Sequence, residues 1–319
     1  MSIIKVALVG AGQMGSSHAR VIAESGDAEL KVIVDVDAAA AQRLADRYGS
    51  RASTDLADAA CCDAVVIAGS TAARMECVLP LLQAGRPLLV EKPFAPTLAQ
   101  LDELLQVATD RDVPVMCGFV ERFNAALRTA VQILHGPPVH LLAVRHSPPA
   151  PRIASSVVND LMLHDLDVAQ RLFGQVEPML VGSACVQPPH SPWNEIADCS
   201  IGFGSAGIAT LSANRMGQRK VRSLTIHTEN QLVEVDLLRQ DVTVYRNVSQ
   251  EMSLSGGGMG YRSSTEIELP FVRHAGEPLT LQFAHFLDLV AGVADHVEER
   301  RQLRPAHVLA EQIEQRSIR

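Results

Sequence analysis

Three groups of residues have the types and spacing to carry chemistry. Gly10-Ala11-Gly12-Gln13-Met14-Gly15 follows an apolar run, Ile3 to Val9, and precedes a helix-forming stretch from Ser16 to Ser25. A glycine turn between a strand and a helix lets a pyrophosphate approach the backbone, and the helix N-terminus offers it free N–H groups. Gly10, Gly12, Gln13, Met14 and Gly15 are therefore expected to hold a dinucleotide. Asp35 closes the next apolar run, about twenty residues on, where a carboxylate accepts both adenosine ribose hydroxyls. An acid there repels a 2′-phosphate, so NAD is favoured over NADP. Glu91-Lys92-Pro93 closes a further run, Leu88 to Val90. A lysine at the carboxyl edge of a sheet can donate to a substrate oxygen or stabilise a developing alkoxide. As an isolated tripeptide it reads better as a solvated strand end. Asp160-Leu161-Met162-Leu163-His164 sets an acid and a histidine four residues apart, on one face of an expected helix. That spacing suits a carboxylate orienting an imidazole that accepts a proton near neutral pH. A helix-stabilising contact is the plainer reading of the pair alone. Asp165 and Asp167 follow, but no second histidine stands at ligand spacing, and no metal is expected.

The elements that must position these residues alternate strictly up to Cys117. Strands are expected at Ile3–Val9, Leu30–Val34, Ala64–Ala68, Pro87–Val90 and Val113–Cys117, with helices between them. Such alternation requires crossover connections and a parallel sheet. The fold class is therefore α/β, with an N-terminal Rossmann doubly wound parallel sheet over residues 1–118. Past Gly118 the rhythm changes. A helix over Asn124–Leu134 runs into Gly136-Pro137-Pro138, and strands follow at Val139–Arg145, Ala197–Phe203, Gly207–Ala213, Ser223–His227, Leu232–Asp236 and Val242–Arg246. Short turns between several of them favour antiparallel pairing. Residues 119–319 thus read as a substrate-binding and oligomerisation α+β domain with a mostly antiparallel sheet. Its main helix spans Asn159–Phe173, and helices over Leu279–Val293 and Ala306–Arg316 end the chain, the last one able to pack back on the first domain. Ser255–Gly260 is glycine-rich but lacks the lysine of a phosphate loop, and reads as a mobile connection.

Bulk composition narrows the function classes. A chain of 319 residues, 47% hydrophobic and 20% charged, suits two globular domains. A formal net charge of -8 opposes nucleic-acid binding, which needs concentrated positive surface. The first ten residues already form a strand and turn, leaving no secretory leader, and no apolar run approaches the ~20 residues of a membrane span. Six scattered cysteines lack metal spacing and are expected as free thiols in a cytoplasmic protein.

Taken together, these features resemble the glucose–fructose oxidoreductase and inositol dehydrogenase family (Gfo/Idh/MocA). Val9 to Gly15 followed by His18-Ala19-Arg20 is similar to its first motif. Ala84-Gly85-Arg86-Pro87-Leu88-Leu89-Val90-Glu91-Lys92-Pro93 resembles its A-G-K-x-V-x-x-E-K-P signature, and Asp160 and His164 fall on its D-x-x-x-H pair. Glu277-Pro278-Leu279 and the terminal helix also fit. The resemblance implies that Lys92 and His164 share proton transfer while Asp160 positions the imidazole and the substrate hydroxyl. It also implies that Ser70, Glu91, Lys92, Pro93 and Arg122 contact the cofactor. Two departures stand out: the family's T-P-x-x-x-H stretch reads Gly69-Ser70-Thr71-Ala72-Ala73-Arg74, and the glycine common within D-x-G-x-H is Met162.

Gly118 to Asn124 and Asn159 to Asp167 look like a subgroup similar to UDP-N-acetylglucosamine 3-dehydrogenases, which oxidise the 3-hydroxyl of a nucleotide sugar. Arg145 and Arg152 are then expected to reach a diphosphate or sugar hydroxyls, beside Asp160 and His164. The expected activity is hydride transfer between NAD(H) and a secondary sugar hydroxyl. Alternatives are an inositol or free-sugar dehydrogenase, an NAD-dependent glycosidase, and a non-catalytic NAD(H)-binding sensor. The partner is a small-molecule sugar or nucleotide sugar, without nucleic acid or membrane. The open sheet face points to a homodimer or homotetramer.

Overall fold

A computed structural model of the protein describes residues 3–149, 155–174, 176–253 and 259–316. Arg152 lies outside them, as does most of the glycine-rich connection, although Met259 and Gly260 open a strand. Two compact units make up the chain: residues 1–120 with 276–311, and residues 121–275 with 312–319.

In the first unit the elements run β1 (Ile4–Val9), α1 (Gln13–Glu24), β2 (Ala28–Val34), α2 (Ala38–Tyr48), β3 (Arg51–Ser53), α3 (Leu56–Ala60), β4 (Ala64–Ile67), α4 (Arg74–Gln83), β5 (Leu88–Val90), α5 (Leu98–Asp110) and β6 (Val115–Cys117). All six strands are parallel, in the order β3-β2-β1-β4-β5-β6. β4, β5 and β6 are buried along their whole length, as continuous apolar strands covered on both faces must be. Helix ends follow the local chemistry. Asp37 caps α2 by accepting from the Ala39 and Ala40 amides, and Gly49 ends it in the left-handed conformation. The strand order reverses between β1 and β4, which opens a crevice at their carboxyl ends, the place where open α/β sheets bind ligands.

The second unit begins with α6 (Ala125–Ile133) and β7 (His140–His146). One turn of π-helix (Val158–Met162) leads into α7 (Leu163–Phe173). The strands β8 (Met179–Val186), β9 (Ile196–Gly202), β10 (Ile208–Asn214), β11 (Val221–His227), β12 (Leu232–Asp236), β13 (Asp241–Ser253) and β14 (Met259–Glu268) follow. They form an eight-stranded sheet ordered β14-β13-β12-β11-β7-β10-β9-β8. Every neighbouring pair is antiparallel except β7 with β10. Alternating residues (Leu141 and Ala143, Leu211, Leu224 and Ile226, Val233 and Val235) are buried on the face that α6 and α7 cover. The chain then returns to the first unit through α8 (Pro278–Val290), α9 (His296–Arg301) and the greater part of α10 (Arg304–Glu314). Among the described residues no helix is long and apolar enough to cross a membrane, and all six cysteines are free thiols.

The inner face of the second sheet does not stay apolar to its end. Arg145, last inward residue of β7, is 1% exposed. It donates from Nε and Nη2 to Asp165 at 2.7–3.1 Å, and from Nη1 to Glu121 Oε1 at 2.8 Å. Burial alone would lower the guanidinium's pKa, but the two carboxylates raise it above its ordinary value. Replacing only Arg145, as in Arg145→Met, leaves buried Asp165 without its cation and Glu121 with only Arg222 at 3.4 Å, and is expected to cost ~3–5 kcal/mol. The triple variant R145M/E121Q/D165N removes the charges together and should regain most of that loss, read from urea midpoints of the three proteins.

Candidate active site

The glycine turn is built by close contact. Gly10 has φ +101°, and a Cβ on it would stand 2.6 Å from the Gly69 amide nitrogen. A Cβ on Gly15 would stand 1.9 Å from the Gly10 carbonyl oxygen, so α1 sits against the end of β1 at a distance only glycine permits. Gly12 is different: a Cβ there would meet nothing within 4 Å. That open space lies at the N-terminus of α1, whose cap makes no side-chain hydrogen bond, which leaves its N–H groups for an anion. Gln13 and Met14 flank the opening and are exposed. Asp35, at the end of β2, accepts from the Ala11 amide at 2.6 Å through Oδ2 and from the Asp37 amide at 2.9 Å through Oδ1. Each oxygen keeps further acceptor capacity, so the carboxylate fits a ribose diol. Ser70, also expected to reach the cofactor, follows β4 beside Gly69 and is exposed.

Glu91 ends β5 with its carboxylate buried, and Oε1 lies 2.8 Å from Nε2 of the buried His18 on α1. Burial pushes the carboxyl upward, but the His18 hydrogen bond and the charges of His18, Lys92 and Arg74 outweigh it and hold the group below its usual range. Gly118 makes room for it, since a Cβ there would meet Glu91 Oε2 at 2.8 Å. Lys92 follows, half-buried, before a cis peptide to Pro93. The next amide, Phe94 N–H, donates to His307 Nε2 at 3.1 Å, while His307 Nδ1 donates to Leu303 O at 2.7 Å. A helix from the far end of the chain thereby fixes the loop that carries Lys92.

In the second unit Asp160 lies within the π-turn and His164 in the first turn of α7. The expected single α-helix thus opens with a π-turn beside the candidate pair, and functional sites are a frequent place for an i→i+5 turn. Asp160 Oδ2 accepts from Arg215 Nη1 at 3.3 Å. The same buried arginine donates from Nε to Glu195 Oε2 at 2.7 Å and from Nη2 to the Ser155 carbonyl at 2.7 Å. Burial opposes ionisation of Glu195, yet Arg215 and the Ser191 hydroxyl hold its carboxyl below its usual range. Arg122, expected at the cofactor, is buried and makes a two-point ion pair with Asp167 at 2.5 and 2.8 Å. Arg145, expected at the substrate, is enclosed by Asp165 and Glu121 and braces them. Sequence reasoning did not find Arg215, Glu195 or His307. The partners in question lie 20 to 213 residues away, and no local spacing marks such a pair.

The glycines give a clean contrast. Gly12→Ala should fold with an unchanged melting temperature but bind NAD at least about tenfold more weakly, whereas Gly15→Ala should lose about 1–3 kcal/mol of stability as well. Calorimetric NAD titration and thermal melts separate the two. Glu91 adds a pH signature. Its lowered carboxyl pKa contributes stability that is full above the unfolded value, about 4.3, and disappears as pH falls through the lower folded value. Comparing urea midpoints of wild type and Glu91→Gln from pH 6 to 3 should show a flatter acid limb in the variant.

Comparison with known proteins agrees with this geometry. Residues 4–119 match the family model described as the Gfo/Idh/MocA oxidoreductase family, NAD-binding Rossmann fold. A UDP-N-acetylglucosamine 3-dehydrogenase from Acidithiobacillus ferrooxidans is 28% identical over 246 residues, 76% of this chain and 77% of the relative. A myo-inositol dehydrogenase from Streptomyces leeuwenhoekii is 36% identical over 182 residues, 53% of this chain and 56% of that one. A solved structure of the Acidithiobacillus enzyme superposes with a TM-score of 0.84 at 25% identity, covering 98% of this chain and 97% of that one. The open glycine turn, Asp35 and the Glu91-Lys92-Pro93 loop all fall within residues 4–119, the part of the chain that matches the NAD-binding Rossmann fold of the Gfo/Idh/MocA oxidoreductase family.

Proposed function

We propose that the protein oxidises a secondary sugar hydroxyl with NAD as acceptor, and that its substrate is a nucleotide sugar attacked at the 3-position. The observation that carries the reading is the Asp160–His164 pair, with its carboxylate fixed by a buried arginine, in a chain whose other unit binds NAD. A carboxylate fixed in place four residues before an imidazole serves to orient that ring and to favour its taking up a proton. In this mechanism His164 takes the hydroxyl proton and Lys92 donates to the forming alkoxide oxygen. Bound NAD would supply the hydride acceptor, so that a hydride from the hydroxyl-bearing carbon and the proton taken by His164 both leave the substrate and a ketone results. The reverse reduction uses the same side chains with their protons exchanged. Gly10, Gly12, Gln13, Met14, Gly15 and Asp35 hold the adenosine diphosphate half of the cofactor, with Ser70, Glu91 and Pro93 lining the strand ends beside it. Arg152 is the candidate for the substrate diphosphate.

The nucleotide-sugar assignment is supported by likeness to the Acidithiobacillus enzyme along nearly the whole chain. Likeness to the Streptomyces enzyme supports a cyclitol as the second substrate class. Incubation with NAD and a panel of UDP-sugars and inositols, followed by absorbance of NADH, tests the choice. Turnover of a UDP-sugar is expected. Turnover restricted to inositols would replace the substrate, and hydrolysis without net NADH would replace the reaction. With the substrate so found, Lys92→Met is expected to lower kcat by about 10²–10³ and to leave the dissociation constant of NAD within about twofold. Stopped-flow turnover and calorimetry read the two quantities, and unimpaired kcat would remove Lys92 from the mechanism.

A further inference from the structure

Arg215 ties the proposed catalytic carboxylate to the distant segment that precedes β9. It follows β10, is buried, and divides its guanidinium three ways: Asp160 Oδ2, Glu195 Oε2 and the Ser155 carbonyl. Ser155 precedes the π-turn and Asp160 lies within it, whereas Glu195 immediately precedes β9. A planar guanidinium fixes the directions of all its donors together, so the three acceptors lock its position more firmly than an ammonium would. Glu195 in turn accepts from the Ser191 hydroxyl at 2.6 Å, which anchors the outer end of the chain of contacts.

From this arrangement we infer that Arg215 is a positioning residue, which orients Asp160 and sets the charge that His164 experiences, with Glu195 as its counterweight. The inference rests on the proposed role of His164 as proton acceptor. Its physical content is that Arg215 and Glu195 act on the imidazole with opposite sign. A cation nearby makes protonation of His164 harder, and a carboxylate nearby makes it easier. Other charges face the same region: Asp160 on the π-turn, Asp165 and Asp167 on α7, Arg145 on β7, Arg222 on β11, and Glu121 and Arg122 ahead of α6. These form a constant background in a comparison that alters only Arg215 or Glu195. His190 adds its charge near Glu195, and it too is unchanged between the variants.

Opposite signs make the test specific. A brace that served only stability would shift both variants in the same direction, or neither. NMR titration of the His164 imidazole in the full-length, cofactor-free protein reads its pKa without any substrate. Arg215→Met should raise that pKa and Glu195→Gln should lower it, each on the order of half a pH unit. Arg215→Lys keeps the charge and loses the fixed fork, so it should leave the pKa near wild type while lowering kcat. Should Arg215→Met fail to fold, the Glu195→Gln and Arg215→Lys pair still decides the matter. An unmoved or raised pKa in Glu195→Gln would overturn the inference. The acid limb of kcat/KM against pH should follow the NMR shifts. If the NMR values move as stated and the limb does not, Arg215 positions Asp160 as inferred and the role of His164 as base is what fails.

Discussion

The first unit depends on how closely its backbone segments approach at the end of β1. α1 begins so near that strand that a single methyl group on Gly15 would overlap the Gly10 carbonyl, and Gly10 itself lies against the turn after β4. Backbone in contact with backbone leaves no side chain to yield, so the position of α1 is set to within tenths of an ångström. What that contact creates is the opening at Gly12, where the helix N-terminus faces unfilled space. The candidate cofactor site is thus a consequence of packing elsewhere in the turn. Only then does Asp35 matter, because its hydrogen bond to the Ala11 amide fixes the carboxylate relative to the same turn.

A second constraint governs the other unit, where polar groups take over a sheet face that is otherwise apolar. Arg145, Arg122 and Arg215 are each buried against carboxylates, from Asp165 and Glu121, from Asp167, and from Asp160 and Glu195. Buried ion pairs of this kind add little net stability compared with apolar packing, but removing one member is expensive. They therefore act as fixed registers. The segment they hold is the π-turn and the start of α7, where an irregular backbone would otherwise have alternatives.

Much of the first unit was legible because its signals are local. Strand, glycine turn and helix follow one another in sequence, and β1, β2, β4, β5 and β6 fall where apolar runs predict them. β3 and α3 were not foreseen, being only three and five residues long. In the second unit most inner strands were readable by their alternation, yet β8 and β14 were missed. Many of their residues are exposed or half-exposed, so no apolar pattern marks them. The parallel pairing of β7 with β10 was equally invisible, since it joins strands far apart in the chain. The site divides in the same way. Lys92, Asp160 and His164 stand out by motif, but the residues that fix them do not. Arg145 and Arg122, singled out by their place near a motif, each lie against a buried carboxylate, which the local sequence does not announce.

Both units nevertheless hold their candidate residues alike. Beside Lys92 the buried Glu91 is kept ionised by His18, Lys92 and Arg74, and four residues before His164 the carboxylate of Asp160 is held by Arg215. In each case the charge next to the candidate side chain is hydrogen-bonded to a partner within the protein. Dipoles and charges that are already oriented need no rearrangement as charge develops on a reacting oxygen. This explains why so many ionisable groups are buried in a chain of ordinary composition. Their cost in folding is recovered as a field whose direction is set before any ligand arrives, and whose strength changes only when one of the pinned groups is protonated.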